Sequence, residues 1–382
     1  MFGVGSALGP LVGGLLLQVF NWKAVFLMNL PVIAVALIGD AVTITESRDT
    51  QVRPFDILGV LLSILGLFAL VYGIIQAGIT SWTDRDALLA FSAAAVLLGL
   101  FALWESRAPH AMLPAAFFKN RSFSAANAAL VLVMFAITGV IFFLSQYLQS
   151  VLGYSALAAG VCLLPMALVV TVVSILSARI SSRLGLKATV GGGILLAAVG
   201  LFFLSHVVTA DASYTSIALA LVIFTAGLGL AMPPATAAVM SSVPVNQAGI
   251  GSAMNATTRQ LGAALGVVVL GSIMNSVYLS QLAHLPAQAF DAISSGVQEA
   301  HVVATSIADP RIAQLITDAA SGAFVSGMAS AMLVGAVILA VAAMLTFAIL
   351  PVKVRHAGDD TTTLGMTGDR PEKDEKSEAV TP

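Results

Sequence analysis

Charge is scarce in this chain. Of 382 residues, 17 are Lys or Arg and 19 are Asp or Glu, 9% in all, where soluble domains run near 25%. Twelve of these charges lie between Lys353 and the C-terminus, so the first 352 residues hold only 24. That distribution excludes a soluble globular protein. The single cysteine, Cys162, excludes an intramolecular disulfide and any CxxC-type metal site. It lies within an apolar run, where inert packing outweighs chemistry. With five histidines and no HExxH, GxSxG or paired-acid arrangement, nothing supports an intramembrane enzyme, a metal or a cofactor. A net charge of −2, with no basic cluster and no aromatic–basic interleaving, argues against nucleic acid as a partner.

What is present is apolar length: 58% of the residues are hydrophobic. Stretches free of Asp, Glu, Lys and Arg cover 1–22, 24–39, 57–83, 87–104, 122–178, 188–210, 212–258, 260–290 and 319–352. A bilayer core takes about 20 such residues per helix, and a transmembrane barrel would instead show short alternating segments. The run 122–178 would extend about 85 Å as one helix, so it must turn, and QSVLGYS at 149–155 supplies the means. The run 212–258 turns near 241–251. The fold class is therefore an all-α polytopic membrane protein with the lipid bilayer as its surroundings. Ten helices are predicted, near 2–20, 24–44, 56–79, 86–104, 125–149, 157–179, 188–208, 214–240, 253–279 and 324–350. The segment 280–323 reads as the longest loop. The polar tail 353–382 reads as disordered and cytoplasmic.

Basic residues fix the expected orientation, because Lys and Arg near span ends stay on the cytoplasmic side. One set of alternate connections, with the residues after the last span, carries ten: Arg48, Arg53, Arg107, Lys119, Arg121, Arg179, Arg183, Lys187, Lys353 and Arg355. The other set carries three, Lys23, Arg85 and Arg311. This bias puts both termini in the cytoplasm. No cleavable signal peptide is evident, since residues 1–22 lack a basic start.

The first span contains GSALGPLVGG (5–14) and the ninth contains GAALGVVVLG (262–271). Gly5, Gly9 and Gly13 form one stripe, as do Gly262 and Gly266, and such stripes let a neighbouring backbone approach closely. A leucine at Gly9 is accordingly expected to disrupt packing of the first span. Pro10 removes a backbone donor and bends its helix. One glycine pattern means only packing. Two copies in corresponding halves fit a transporter built from repeats, with its path between them.

These residues also resemble a known family. GSALGPLVGG is similar to the antiporter motif of drug exporters in the major facilitator superfamily, and NWKAVFLMNLP (21–31) to the segment leading into their sixth helix, with Ala24 replacing a Trp. FDILG (55–59), QYLQSVLGYSALAAG (146–160), MPPATAAV (232–239) and NATTRQLGAALG (255–266) extend the likeness to the fourteen-helix drug/proton antiporter branch, the EmrB/QacA type. The resemblance implies a major facilitator fold with an incomplete N-terminal lobe. Residues 1–48 would be two helices of that lobe and 49–121 the branch's extra helix pair with cytoplasmic linkers. The six-helix C-terminal lobe would occupy 122–352. Four helices, with an embedded Asp, are expected upstream of Met1, and the chain as given is expected not to export on its own. SARISSRLGLKA (177–188), with Arg179, Arg183, Gly185 and Lys187, resembles the C-lobe copy of the family's loop motif, but Ser182 stands where the pattern has Asp.

Candidate path residues follow from cost. A guanidinium inside a membrane helix is expensive and normally faces a partner or a wet cavity. Arg259 is therefore either a cavity or gate residue that holds an acidic group or substrate, or an arginine snorkelling to the headgroups. Asn255, Arg259, Gly262 and Gly266 share one face by their spacing, and Gln260 is adjacent. Gln146, Tyr147 and Gln149 either line the outer mouth or anchor it at the interface. Asn127, like Asn255, is a cavity amide or a helix-packing amide. Asp56 reads as a helix cap, Asp40 as an interface residue and His206 as a solvated edge, so no acid stands mid-membrane to carry a proton. Pro165 and Pro233–Pro234 read as helix benders.

The function so implied is secondary active export of hydrophobic or cationic drugs, driven by a proton gradient rather than a cofactor, in a bacterial cytoplasmic membrane, by a protein expected to be monomeric. A major facilitator importer of another solute and a non-transporting membrane remnant are the alternatives. The glycine–proline motif speaks against the importer.

Overall fold

The computed structural model describes residues 9, 12–17, 19–20, 22–43, 56–108, 115–244, 247–286, 290, 293–307 and 309–350. Nine helical segments among them are long and apolar enough to cross a membrane. They coincide with the second to tenth predicted spans. Of the first, residues 12–17 are helical, while Gly5 and Pro10 lie outside the described residues, as does the tail.

Helices α1 (Lys23–Leu27) and α2 (Asn29–Thr43) form one span with no buried residue. Helices α3 (Ile57–Ile79) and α4 (Arg85–Arg107) pack against each other as a hairpin. Asp56 starts α3 by accepting from the Gly59 backbone N–H at 2.9 Å, and it also accepts from the Trp104 indole N–H at 2.9 Å on α4. The acid is thus a cap that ties the hairpin's two ends together.

A short α5 (Ala115–Lys119) leads into α6 (Arg121–Gln146), whose first turn is capped by Asn120 accepting from the Ser122 N–H at 2.9 Å. The helix widens into a π turn at Tyr147–Val151, and Gly153 reverses direction with φ 69°, within the stretch where the sequence demanded a turn. Ser155 caps α7 (Ala156–Cys162). Helix α8 (Leu164–Leu184) continues the same span, with Pro165 in its first turn, where a missing N–H costs nothing. Gly185, at φ 85°, joins it to α9 (Leu186–Val207). Helix α10 (Tyr214–Ser241) carries Pro233 and Pro234 inside it. Helix α11 (Ala248–Leu282), α12 (Val297–Ser306) and α13 (Pro310–Ile349) complete the chain.

Helices α6, α8 to α11 and α13 share one core, in which Phe123, Leu130, Leu201, Ile217, Phe224 and Phe324 are almost fully buried. Small residues let these helices close in. A methyl added at Gly200 would collide with the backbone of Phe224, and one at Gly227 with the backbone of Ala197, which is how α9 and α10 form the tightest pair. In lipid, close backbone packing of this kind replaces the hydrophobic drive available in water.

Two expectations need correction. The segment 280–323 is not one loop: α12 lies within it and buries Val297, Ala300 and Ala304 against α13. The last helix starts at Pro310 rather than near 324, because Asp309 caps it by accepting from the Arg311 N–H at 2.9 Å and Pro310 fits its first turn. At 40 residues it is about 60 Å long, so its start projects beyond a bilayer core of about 30 Å.

Candidate functional site

Arg259 lies about three turns into α11, deeper than the one or two turns that the sequence suggested, because α11 begins at Ala248. It lines a cleft of about 590 Å³ between α8 and α10. Val170, Ile175, Met232 and Met240 give the cleft apolar walls, and Thr171, Ser174 and Thr236 bring hydroxyls. Thr171 donates to the Ala167 carbonyl at 2.7 Å, so its hydroxyl is turned back to its own helix. The volume is that of a small-molecule pocket, mostly apolar with a few polar groups and one charge.

The proline pair shapes this wall. Neither Pro233 nor Pro234 can donate to the carbonyl four residues earlier, so α10 lacks two of its backbone bonds where it borders the cleft. Pro233 itself lines the cleft. The pair therefore acts both as a helix interruption and as a surface facing the space beside Arg259.

The other predicted residues distribute around this lobe. Gly262 and Gly266 do bring backbones together: a methyl at either would overlap the carbonyl oxygens of Val131 and Phe135 on α6. Asn127 is buried on α6 and clamps the same seam, with its amide donating to the Phe123 carbonyl at 2.9 Å and its Oδ1 accepting from the Thr258 hydroxyl at 3.1 Å. Asn255 presents a buried Oδ1 with no hydrogen-bond partner among the described residues. Gln260 is exposed. One turn of α11 thus carries a glycine seam, a cross-helix hydrogen bond and the cleft's cation side by side.

At the opposite end of α6, Tyr147 is fully buried and donates to the Thr209 carbonyl, tying down the connection between α9 and α10. Gln146 is half-buried. Gln149 donates to Ser145 Oγ at 3.0 Å and lines a smaller cleft of about 210 Å³ with Gly13, Gly14 and Leu17. Only Gly14 makes a close approach there, against the backbone of Ala156 and Leu157, at 2.9 to 3.1 Å from where its methyl would stand. Gly9 and Gly13 face open space, so the contact expected at Gly9 falls one residue beyond that stripe. Arg179 and Arg183 are exposed, and Gly185 and Lys187 are half-buried around the positive-φ turn. They sit apart from the Arg259 cleft.

Sequence reasoning missed Thr258, Thr171, Ser174 and Thr236. Their signal was small-polar spacing: 167, 171, 174 and 178 form an Ala/Thr/Ser/Ala stripe on α8 that mirrors the glycine stripes. It also missed Glu105, a buried carboxylate in the last turn of α4, where proximity to Arg107 made it look like a span end. Asp40 is exposed. No group of three or more His, Cys, Asp or Glu that could hold a metal occurs among the described residues.

The nine apolar spans and their lipid-type packing define a multi-pass helical membrane protein. The sequence model of the Major Facilitator Superfamily matches residues 1–267, and the chain belongs to that superfamily. It is 33% identical over 357 residues to the tetracenomycin C resistance and export protein of Streptomyces glaucescens, an alignment covering 90% of this chain and 66% of that protein. It is 32% identical over 350 residues to the multidrug efflux pump LfrA of Mycolicibacterium smegmatis, covering 90% and 68%. It is 31% identical over 306 residues to the multidrug resistance protein Stp of Mycobacterium tuberculosis, covering 80% and 56%. The chain thus spans between about half and two thirds of the length of these curated relatives.

Proposed function

We propose that the protein to which these spans belong is a drug exporter of the fourteen-helix drug/proton antiporter branch. It would expel hydrophobic or cationic compounds in exchange for protons across a bacterial cytoplasmic membrane, without enzymatic chemistry. The observation that carries this reading is the Arg259 cleft: apolar walls, few hydroxyls and one guanidinium, bordered by a proline-interrupted helix. Apolar walls accept many shapes, which suits a broad hydrophobic substrate range, while the fixed charge answers an acidic group presented during the cycle. The names of the relatives support the substrate class, and the resemblance supports proton coupling. The charge bias supports cytoplasmic placement of Arg179, Arg183, Gly185 and Lys187, with α12 outside.

In this reading Gly262 and Gly266 hold α11 rigidly on α6 so that Arg259 keeps its position. Asn127, Asn255 and Gln260 belong to the same α11 surroundings, and Gln146, Tyr147 and Gln149 stiffen the far mouth. Gly5, Gly9, Pro10, Gly13 and Gly14 form the helix that meets α7 there. The test is ethidium extrusion from a pump-deficient bacterial host expressing the gene in its full reading frame, with and without a protonophore. Extrusion that the protonophore abolishes is expected. Equal retention in expressing and empty cells would refute export, and extrusion indifferent to the protonophore would refute proton coupling.

A further inference from the structure

A second recess lies away from the Arg259 cleft, where the α3–α4 hairpin meets the lobe. It has a volume of about 710 Å³ and runs between α3 and α11. Its depth is apolar, lined by Ile75 of α3 and by Val267 and Val268 of α11. Its rim, at the end of α11 that leads into residues 283–296, is polar, with Asn275, Ser294 and Ser295. The Asn275 amide donates to the Gly78 carbonyl at 3.0 Å, which pins the last turn of α3 to α11 and gives the recess a fixed upper edge. No Lys, Arg, Asp or Glu lines it among the described residues.

Two observations identify the occupant. The first is length: from Val267 to Leu279 the wall rises about 18 Å along α11, close to half the thickness of a bilayer core of about 30 Å. A molecule filling it lies in one leaflet, tail down and head at the rim. The second is Ser272, which is only 5% exposed and lines the recess, yet its hydroxyl has no hydrogen-bond partner among the described residues. It sits about 4.5 Å, one turn, below Asn275. An uncompensated buried hydroxyl is costly, and this one is placed where an ester carbonyl of a lipid would stand if its headgroup lay at Asn275. A drug molecule has no reason to combine those two spacings.

We propose that this recess is a binding site for one glycerophospholipid of neutral net charge. Its acyl chain lies against Ile75, Val267 and Val268, its ester carbonyl accepts from Ser272 Oγ, and its headgroup meets Asn275 and the serines. The lipid seals the hairpin to the lobe, a role separate from drug transport.

The test uses the full chain in nanodiscs made of equal parts diester and diether phosphatidylethanolamine. The protein is released into detergent, and retained lipid is counted by native mass spectrometry. The wild-type protein should keep one lipid and prefer the diester form by about fivefold, the value of one neutral hydrogen bond. Ser272→Ala should keep a lipid but lose the preference, and Val268→Trp, which fills the recess, should keep none while melting as the parent does. Retention of detergent only, equal retention of both lipids by the wild type, or an unchanged preference in Ser272→Ala would each overturn the proposal. The last two are readable even if Val268→Trp fails to fold.

Discussion

Helix α2 and helix α6 are both apolar enough to span a membrane, yet they end in opposite circumstances. No residue of Asn29–Thr43 is buried, whereas α6 buries sixteen of its residues, from Ser122 to Leu144. Hydropathy does not separate them, since both exceed what a span requires. The difference is in what the surfaces offer. Helix α6 faces Gly262 and Gly266, shares the Asn127–Thr258 hydrogen bond, and is tied at its far end by Tyr147. Helix α2 presents Val32, Ile33, Val35, Leu37 and Ile38, bulky side chains that lipid solvates as well as protein does. In a membrane, apolarity inserts a helix and smallness packs it.

Four changes break or sharpen that contrast. Gly262→Leu has the largest effect, because an isobutyl group cannot share space with the Val131 carbonyl. Overpacking of roughly 1–3 kcal/mol or more is expected, seen as aggregation on size exclusion or a melting point lowered by several degrees. Gly9→Leu, facing open space, should melt like the parent, and a similar fall in both would erase the distinction drawn here. Tyr147→Phe removes the bond to Thr209 and leaves that carbonyl buried, for a loss of about 1 kcal/mol in detergent unfolding. Asn127→Leu combined with Thr258→Val in a double-mutant cycle should show a coupling near 0.6 kcal/mol. Zero coupling would mean that the seam is held by shape alone. Val42→Ala, on the unburied α2, should change unfolding by less than about 0.5 kcal/mol.

Much of this architecture was legible because lipid imposes length and polarity rules on every span. Nine of the ten predicted spans are found in the described structure, and the turn at 149–155 follows from the impossibility of a single 85 Å helix. The start of α13 was missed although its signal was present: Asp309–Pro310 is a cap followed by a first-turn proline. Arg311 and Asp318 broke the apolar run that served as the criterion. Helix α12 was missed because it packs on the lobe without spanning anything, so its apolar residues come at 297, 300 and 304 rather than in a block. Arg259 was found because charge in an apolar span stands out. The hydroxyls beside it were not, since Thr and Ser are ordinary in membrane helices and only their meeting across α8 and α10 gives them meaning.

The central claim is that the Arg259 cleft is where transport happens. The most direct measurement is the initial rate of ethidium extrusion per unit of membrane protein for the parent, Arg259→Ala and Arg259→Lys, with expression and melting point recorded for each. The cleft account predicts that Arg259→Ala loses at least about tenfold in rate while folding as the parent does, and that Arg259→Lys recovers part of it, since charge is kept but the planar fork is lost. Parental rates in Arg259→Ala would contradict it and reduce Arg259 to an anchor for lipid headgroups.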